Sequence, residues 1–279
     1  MFNDKDFDVE DYTDPQCPFC TDKYMKDPPK KRVPVDRIID KADEYFSRND
    51  YAGAERHFLF WLDEATAYGD ERGQFSIYNE LMGLYRKTGK KDEAVGSAGK
   101  AVDLIRQTGM EGSISAGTAY LNAGTVYKTF GLKKESLDCF EKAKIVYEKE
   151  LKADDARLGG LYNNAALLLV DLGRFAEARE NYEKALSVMK STGKGELETA
   201  ITYLNLVDLT AYEKGLEEGA EEIEDYFKKA RALLDSPNVA RNGYYAFVCD
   251  KCAGTFGYYG YFDYENELRK RAKEIYERA

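Results

Sequence analysis

A tyrosine recurs along this chain at a nearly constant interval, and this period constrains the fold more than any other feature. The five tyrosines are Tyr78, Tyr120, Tyr162, Tyr203 and Tyr245. Their separations are 42, 42, 41 and 42 residues. A fixed period of this length is typical of chains built from stacked copies of one supersecondary unit. We therefore expect a repeat architecture in which each unit packs on its neighbours.

The clearest copy of the repeat occupies residues 161–190. Its first half has apolar or small residues at i, i+3, i+4 and i+7, the spacing of one helical face. These residues are Tyr162, Ala165, Ala166 and Leu169, and Ala178, Tyr182 and Ala185 continue the spacing in the second half. Gly173 lies between the halves, where a left-handed residue ends a helix at the lowest cost. This copy is predicted to form two amphipathic helices joined by a tight turn.

These features resemble the tetratricopeptide repeat, in which aromatic and small residues surround a turn glycine. The common form of that family has about 34 residues per repeat, so the period here is longer. The longer period and the Leu-Tyr-Asn-Asn sequence at residues 161–164 resemble the kinesin-light-chain type of repeat. The resemblance implies an all-α fold: a right-handed superhelical solenoid of about six antiparallel helix pairs.

The chain divides by composition into residues 1–34 and residues 35–279, and we interpret the second part as the solenoid. The first part contains an acidic run with interleaved aromatic residues, then Cys17 and Cys20, then two prolines followed by three basic residues. Because proline interrupts helices, this segment is expected to be a flexible tail. Alternatively, its aromatic residues pack on the solenoid and cover part of the binding groove.

Composition limits the kinds of partner. The formal charge of −10 argues against nucleic acid, because phosphate binding needs a basic surface. The longest apolar run, residues 165–170, is too short to cross a bilayer, and the N-terminal residues do not resemble a signal peptide. Five cysteines cannot form a fully paired disulfide framework. We therefore expect a cytoplasmic protein without a membrane partner.

The residue types that catalysis needs are scarce. His57 is the only histidine, which excludes a two-histidine metal site, and we interpret it as a surface or packing residue. The phosphate-loop motif is missing. Gly254, Gly257 and Gly260 are interpreted as close-packing and turn glycines. We therefore expect no enzymatic activity and no cofactor.

Two Cys-x-x-Cys pairs raise the question of metal binding. Cys249 and Cys252 lie in a predicted helix at apolar positions, so we interpret them as core residues, as we do Cys139. Cys17 and Cys20 flank a proline in a loop-like context, which suits a zinc half-site or a redox pair better. Zinc would need two further ligands, so we expect no metal and regard these two cysteines as weak candidates only.

A ladder of asparagines is the predicted binding site. Asn122, Asn164 and Asn205 each lie two residues after a repeat tyrosine, and Asn79 and Asn163 lie one residue after theirs. In the tetratricopeptide family the first helices line the concave surface and such asparagines bind peptide backbone, so the resemblance implies this role here. An amide supplies both a donor and an acceptor. The alternative is that these asparagines bond neighbouring helices and fix the superhelix.

Charged residues of the first helices are further candidates for the groove. They are Arg86, Lys87 and Lys128 toward the N-terminal side, and Asp171 and Asp208 further on. We expect each repeat to advance the solenoid by two helix layers, about 20 Å. Three ladder asparagines would then hold about a dozen residues of an extended peptide.

Two functions fit these expectations. The first is a non-catalytic scaffold that binds a protein or an extended peptide segment in the concave groove. The second is a regulatory sensor that binds a short signalling peptide and changes the curvature of the solenoid. Self-association and docking of the N-terminal tail in the groove remain open for either function.

Overall fold

The computed structural model describes residues 29–193 and 195–278, and this part of the chain forms twelve α-helices and no strand. The helices are α1 (Val35–Ser47), α2 (Tyr51–Tyr68), α3 (Glu71–Thr88), α4 (Lys91–Thr108), α5 (Ile114–Thr129), α6 (Lys133–Glu150), α7 (Ala156–Asp171), α8 (Phe175–Thr192), α9 (Glu196–Glu218), α10 (Ala220–Leu234), α11 (Gly243–Tyr258) and α12 (Phe262–Tyr276). The prediction of an all-α repeat solenoid with six helix pairs is confirmed. The superhelical hand stays a prediction.

The chain separates into two compact units, residues 1–146 and residues 147–279. In the first unit α1 packs on α2 and α3 on α4, and the first helices α1, α3 and α5 also contact one another in sequence. In the second unit α7 packs on α8, α9 on α10 and α11 on α12, and the first helices α7, α9 and α11 are again neighbours. Each unit therefore has one layer of first helices, and this layer carries the predicted ladder.

The turns between helices use residues that tolerate the left-handed conformation, including the predicted Gly173. Gly173 has φ 72°, in the left-handed region that glycine adopts without a steric penalty. Asn49 has φ 56°, and asparagine tolerates this conformation better than most residues. Helix starts use side-chain caps: Asp50 and Ser113 accept from the backbone N–H groups of Gly53 and Ala116. Each cap satisfies a donor that the helix leaves free.

The repeat tyrosines all lie on first helices. Tyr120, Tyr162 and Tyr245 are buried, and Tyr78 and Tyr203 are partly buried. An ammonium group from the following second helix covers three of these rings: Lys142 is 5.8 Å from the centre of Tyr120, Lys184 is 6.0 Å from Tyr162 and Lys229 is 5.6 Å from Tyr203. Each lysine gains a cation–π contact while its stem covers apolar surface. The tyrosine period therefore marks a recurring contact between the two helices of a repeat.

The fifth repeat departs from the others at Gly215. This residue has φ 77° and ψ 172° inside the span of α9, and the N–H of Gly219 then donates to its carbonyl, so helical structure resumes before α10. Arg179 of α8 spans the break, because its guanidinium bonds to Glu213 on one side and to Glu222 on the other. Residues 214–219 therefore form a kinked connection held by an ion pair on each side.

Several smaller predictions can be compared with the structure. Nε2 of His57 lies 3.0 Å from the carbonyl oxygen of Ile38, which confirms a packing role. Cys139, Cys249 and Cys252 are buried, and burial raises the pKa of the Cys139 thiol to about 11, as expected for an unreactive core residue.

The glycine prediction needs one correction. Gly257 packs against the side chain of Glu265, and Gly260 turns the chain with φ 90°. Gly254 is exposed in the middle of α11, and a Cβ there would meet no atom within 4 Å. The interpretation of Gly254 as a close-packing or turn residue was wrong, because that position faces open space.

Cys17 and Cys20, together with the acidic part of the predicted tail, lie outside the described residues. The described chain starts with a short segment that packs on the first unit. The N–H of Lys30 donates to the carbonyl of Tyr68 at 3.0 Å, and the N–H of Val33 donates to Asp70 at 2.9 Å. Val33 is buried beside Gly73, so residues 30–33 are anchored near the start of α3.

Candidate functional site

The ladder asparagines form hydrogen-bonded pairs between neighbouring first helices. In the first unit Nδ2 of Asn122 on α5 donates to Oδ1 of Asn79 on α3 at 2.9 Å. In the second unit Nδ2 of Asn205 on α9 donates to Oδ1 of Asn163 on α7 at 3.0 Å. In both pairs the donor asparagine lies two residues after the tyrosine of its own repeat. The acceptor asparagine lies one residue after the tyrosine of the preceding repeat. In each unit, we call the surface of first helices that carries these amides the ladder face of that unit.

These pairs correct the expected spacing. Side chains that bond directly belong to helices one packing distance apart, about 8–10 Å, and not to helices about 20 Å apart. The reason is that the first helices of successive repeats are direct neighbours, as the contacts of α3 with α5 and of α7 with α9 show. An extended peptide would therefore pass one ladder position about every three residues.

Asn164 behaves differently from the paired asparagines. Its Nδ2 donates to the carbonyl oxygen of Gly160 at 2.9 Å, one turn earlier in α7. This local bond uses one amide N–H and involves no neighbouring helix. Asn181 on the second helix α8 makes the same bond to Glu177 at 2.8 Å, which provides a matched comparison outside the ladder.

A small cavity of about 160 Å³ lies on the ladder face of the first unit. Its lining residues are Asn79, Glu80, Met82, Gly83, Arg86, Asn122, Thr125 and Val126. The cavity thus brings together three residues that the sequence predicted separately, namely Asn79, Arg86 and Asn122. Gly83 is exposed at its rim, so the backbone of α3 is accessible there.

Glu80 is a cavity residue that the sequence analysis missed. Burial raises the pKa of its carboxyl group and the charge of Asp43 raises it further, whereas a hydrogen bond with Asn79 lowers it. A signal was present, because Glu80 lies two residues after Tyr78, in the ladder position that later repeats fill with asparagine. The cavity therefore holds a half-buried carboxyl group and the exposed guanidinium of Arg86.

The other predicted cations do not line this cavity. Nζ of Lys87 lies 4.7 Å from the ring centre of Tyr51, so it contacts the second helix of the preceding repeat. Lys128 is half-buried in the last turn of α5. Of the three basic residues expected in the groove, the structure brings only Arg86 to the paired asparagines.

The two predicted aspartates have different surroundings. Asp171 is exposed at the end of α7. Asp208 is half-buried and accepts a hydrogen bond from the hydroxyl of Tyr259 at 3.0 Å. Burial raises the pKa of Asp208, and the bond from Tyr259 lowers it. Asp208 therefore already has a hydrogen-bond partner within the second unit.

The ladder position of the sixth repeat holds an aromatic residue that the sequence analysis also missed. Phe247 lies two residues after Tyr245 and stacks on Tyr244, with ring centres 6.2 Å apart. Both side chains are exposed, and the hydroxyl of Tyr244 donates to Glu198 of α9 at 2.8 Å. The ladder face of the second unit therefore combines amides with an exposed aromatic pair.

A larger cavity, about 530 Å³, lies in the second unit near the connection between α8 and α9. Leu186, Met189, Tyr203 and Leu233 supply its apolar lining, and Glu183, Lys190 and Thr199 are among its polar residues. None of the predicted site residues lines it. Periodicity could not reveal this cavity, because it depends on how α8 and α9 pack on each other.

Two models of the tetratricopeptide repeat match the sequence, one over residues 117–149 and one over residues 157–236. The chain is a tetratricopeptide-repeat protein. The first match covers α5 and α6, and the second covers the helices from α7 to α10. These repeats form protein-interaction scaffolds, which agrees with the exposed polar layer of first helices.

Curated relatives share only a segment with this tetratricopeptide-repeat chain. The clustered mitochondria protein homolog of Aspergillus clavatus is 31% identical over 143 residues, which cover 50% of this chain and 11% of the relative. The homolog of Emericella nidulans is 29% identical over 139 residues, with the same coverage. The chain therefore matches a small part of much longer proteins.

A solved structure of low sequence identity shares the fold, and a second resembles it less closely. A Rap protein complexed with competence and sporulation factor has a TM-score of 0.59 and 15% identity, covering 89% of this chain and 66% of that one. Putative kinesin light chain repeats from Podosopora anserina have a TM-score of 0.48 and 16% identity, covering 71% and 92%.

Neither a helix that could cross a membrane nor a group of metal ligands is found among the described residues. Within residues 29–193 and 195–278, no helix is long and apolar enough to cross a membrane. In the same part of the chain, no three histidine, cysteine, aspartate or glutamate side chains are grouped as metal ligands.

Proposed function

We propose that this tetratricopeptide-repeat chain is a non-catalytic, cytoplasmic scaffold that binds an extended segment of a partner protein on its ladder face. One observation carries the proposal: the cavity of the first unit unites Asn79, Arg86 and Asn122. These residues come from two helices and have different chemistry, yet the resemblance to peptide-binding repeats implied all three. The proposed site is therefore this cavity on the ladder face, and the proposed partner is an extended segment of another protein.

The paired amides keep hydrogen-bonding capacity for a ligand. The bond between Asn122 and Asn79 uses one N–H of Asn122 and one acceptor site of Asn79, and each amide has two donors and two acceptor sites. A peptide backbone can therefore accept from Asn79 and donate to Asn122 without breaking the pair. Each such bond is worth about 1 kcal/mol net, so several ladder positions are needed for micromolar affinity.

The cavity also favours a polar ligand side chain at this position. Arg86 offers an exposed cation, and Glu80 offers a carboxyl group that burial makes costly to ionise. A neutral polar or acidic side chain of the partner can bond to Arg86 and to the Asn79 amide together. A guanidinium group binds planar acceptors through two parallel bonds, so the cavity adds side-chain preference to the backbone contacts.

The direct test begins with a phage-displayed library of random peptides of about 12 residues, selected on the full chain and measured by calorimetry. We expect a selected peptide to lose about five- to tenfold in affinity with Arg86→Ala and with the double variant Asn79→Ala/Asn122→Ala. Arg56→Ala is the matched control, since Arg56 is exposed on the second helix α2. Equal affinity for all four proteins would refute the proposed site.

The same peptide separates the scaffold from the sensor. A sensor requires that binding favour one solenoid curvature over another, so small-angle scattering of the free and bound chain would change. An unchanged scattering profile favours the scaffold. If a second copy of the chain competes for the peptide site, sedimentation should detect dimers. If residues 1–34 compete for that site, their removal should make the peptide bind more tightly.

A further inference from the structure

Exposed apolar side chains collect at one edge of the second unit, away from the ladder amides. We call them the turn-edge patch: Leu172, Tyr212, Leu216, Tyr258 and Phe262 are exposed, and the half-buried ring of Phe175 lies among them. Each lies where a first helix ends or a second helix begins, in three successive repeats. Because α7, α9 and α11 have the same role in successive repeats, their C-terminal ends meet at one edge. Tyr258 is 83% exposed and Phe262 is 63% exposed.

Contacts between aromatic rings connect the patch from one repeat to the next. The rings of Phe175 and Tyr212 stack with centres 6.3 Å apart and planes 6° apart. Tyr258 contacts Tyr259 with ring centres 5.1 Å apart. The hydroxyl of Tyr259 donates to Asp208 of α9 at 3.0 Å, four residues before Tyr212 in the same helix, which ties the end of α11 to this part of α9. Contiguous exposed apolar surface of this kind is typical of interaction sites.

The charges around the patch are unbalanced. Cations at this edge are neutralised: Arg174 bonds to Glu177, and Lys214 bonds to Glu222, each at 2.6 Å. Four exposed carboxylates have no hydrogen-bond or ion-pair partner within residues 29–193 and 195–278. These are Glu217, Glu218, Glu221 and Asp263. Negative charge is tolerated near the starts of α10 and α12 because of the helix dipoles, but the rim keeps its net negative charge.

We propose that the turn-edge patch is a second interaction surface, which binds a basic amphipathic helix of a partner protein. Apolar side chains of the partner cover the aromatic row, while its lysine or arginine residues meet the carboxylate rim. Three turns at about one helix spacing each give a row of about 20 Å, which a helix of about 14 residues spans. This surface is separate from the ladder face and does not depend on the proposed peptide site.

The probe is a fluorescent synthetic helix of about 16 residues with leucine on one face and lysine on the other. A second probe replaces every lysine by glutamate. We expect the lysine probe to bind the full chain with an affinity that falls as salt increases, and the glutamate probe to bind at least about tenfold more weakly. Equal binding of both probes would overturn the assignment.

Variants locate the binding surface. Tyr258→Ser and Phe262→Ser should each weaken the lysine probe by about tenfold, as loss of an aromatic anchor does. Phe60→Ser on α2 is the matched control, since Phe60 is 58% exposed in the first unit, and it should leave binding unchanged. Asn79→Ala/Asn122→Ala should also leave binding unchanged, which separates this inference from the ladder site.

A charge variant keeps the test decisive if the aromatic variants fold poorly. Glu217→Gln/Glu221→Gln alters exposed side chains only, and it should weaken the lysine probe and reduce the salt dependence of its affinity. Unchanged affinity in this variant and in Phe262→Ser would refute the surface. Sedimentation showing a dimer that Phe262→Ser disperses would also overturn the proposal, because a second copy would then occupy the patch.

Discussion

The amide of Asn205 donates to Oδ1 of Asn163 at 3.0 Å, which links the first helices of the fourth and fifth repeats. The hydroxyl of Thr202 lies 3.3 Å from the same oxygen. The Thr202 hydroxyl lies closer to the carbonyl oxygen of Glu198, at 2.8 Å, so the Asn205 amide is the main donor to this oxygen. This arrangement gives the ladder a structural role in the free chain, beside the ligand role proposed above, and the two roles predict different effects of substitution.

The pair should stabilise the second unit modestly. Asn205→Ala removes one hydrogen bond but keeps the Thr202 hydroxyl near the side-chain oxygen of Asn163. We therefore expect the free energy of unfolding to fall by about 1 kcal/mol, as measured by chemical denaturation. Asn266→Ala on the exposed face of α12 is the control and should change stability by less than about 0.5 kcal/mol. A loss above about 3 kcal/mol would mean that the amide pair is mainly structural.

Asn164 should affect binding without affecting stability. Its bond to Gly160 lies within α7, so Asn164→Ala should leave thermal unfolding almost unchanged and weaken a selected peptide by about five- to tenfold. Asn181→Ala removes the same type of bond from α8 and should change neither quantity. If both variants bind equally well, Asn164 does not contact the ligand.

The turn at Gly215 should tolerate no side chain. Its φ of 77° and ψ of 172° lie in a region that only glycine adopts readily, so Gly215→Ala should cost about 1–3 kcal/mol in a denaturation experiment. Gly254→Ala is the control, since Gly254 is exposed in α11 with open space around it, and alanine favours helix by about 0.5–1 kcal/mol. Equal stability of both variants would contradict the strained geometry.

Glu80 should make the stability of the first unit depend on pH. Its folded pKa lies above the ordinary value of 4.5, first because of burial and then because of Asp43. A raised carboxyl pKa means that the folded state binds the proton more tightly than the unfolded state does. The stabilisation that protonated Glu80 gives to the folded state is therefore fully present below the ordinary pKa, and it is lost as the pH rises through the folded pKa. Glu80→Gln should therefore unfold at higher temperature than the wild type at pH 7.

The comparison at low pH completes this test. At pH 4 the carboxyl group of Glu80 is largely protonated, and the wild type and Glu80→Gln should unfold at nearly the same temperature. Glu141→Gln on the exposed side of α6 should match the wild type at both pH values. A Glu80→Gln protein that is less stable than the wild type at pH 7 would show that the charged form is favoured in the fold.

The sequence predicted the helices well because each repeat encodes its own turns and buried faces. Tyr162, Gly173 and Tyr182 act within one helix pair, so spacing alone locates them. The amide pairs were harder to predict from the sequence. Asn122 bonds to Asn79 and not to the residue at the equivalent position of the preceding repeat, and this offset depends on how α5 packs on α3. Glu80 and Phe247 occupy the ladder position of their repeats. They were missed because only asparagine residues were considered as ladder residues in the sequence.

The central claim is that ladder amides contact the backbone of a bound peptide, and NMR of the asparagine side chains tests it directly. With ¹⁵N-asparagine labelling, the Asn122→Ala and Asn164→Ala variants assign the two NH₂ groups and Asn181→Ala assigns a reference. We predict that a selected peptide shifts the NH₂ signals of Asn122 and Asn164 and leaves that of Asn181 in place. Saturating peptide that leaves the Asn122 and Asn164 signals unmoved would contradict the account.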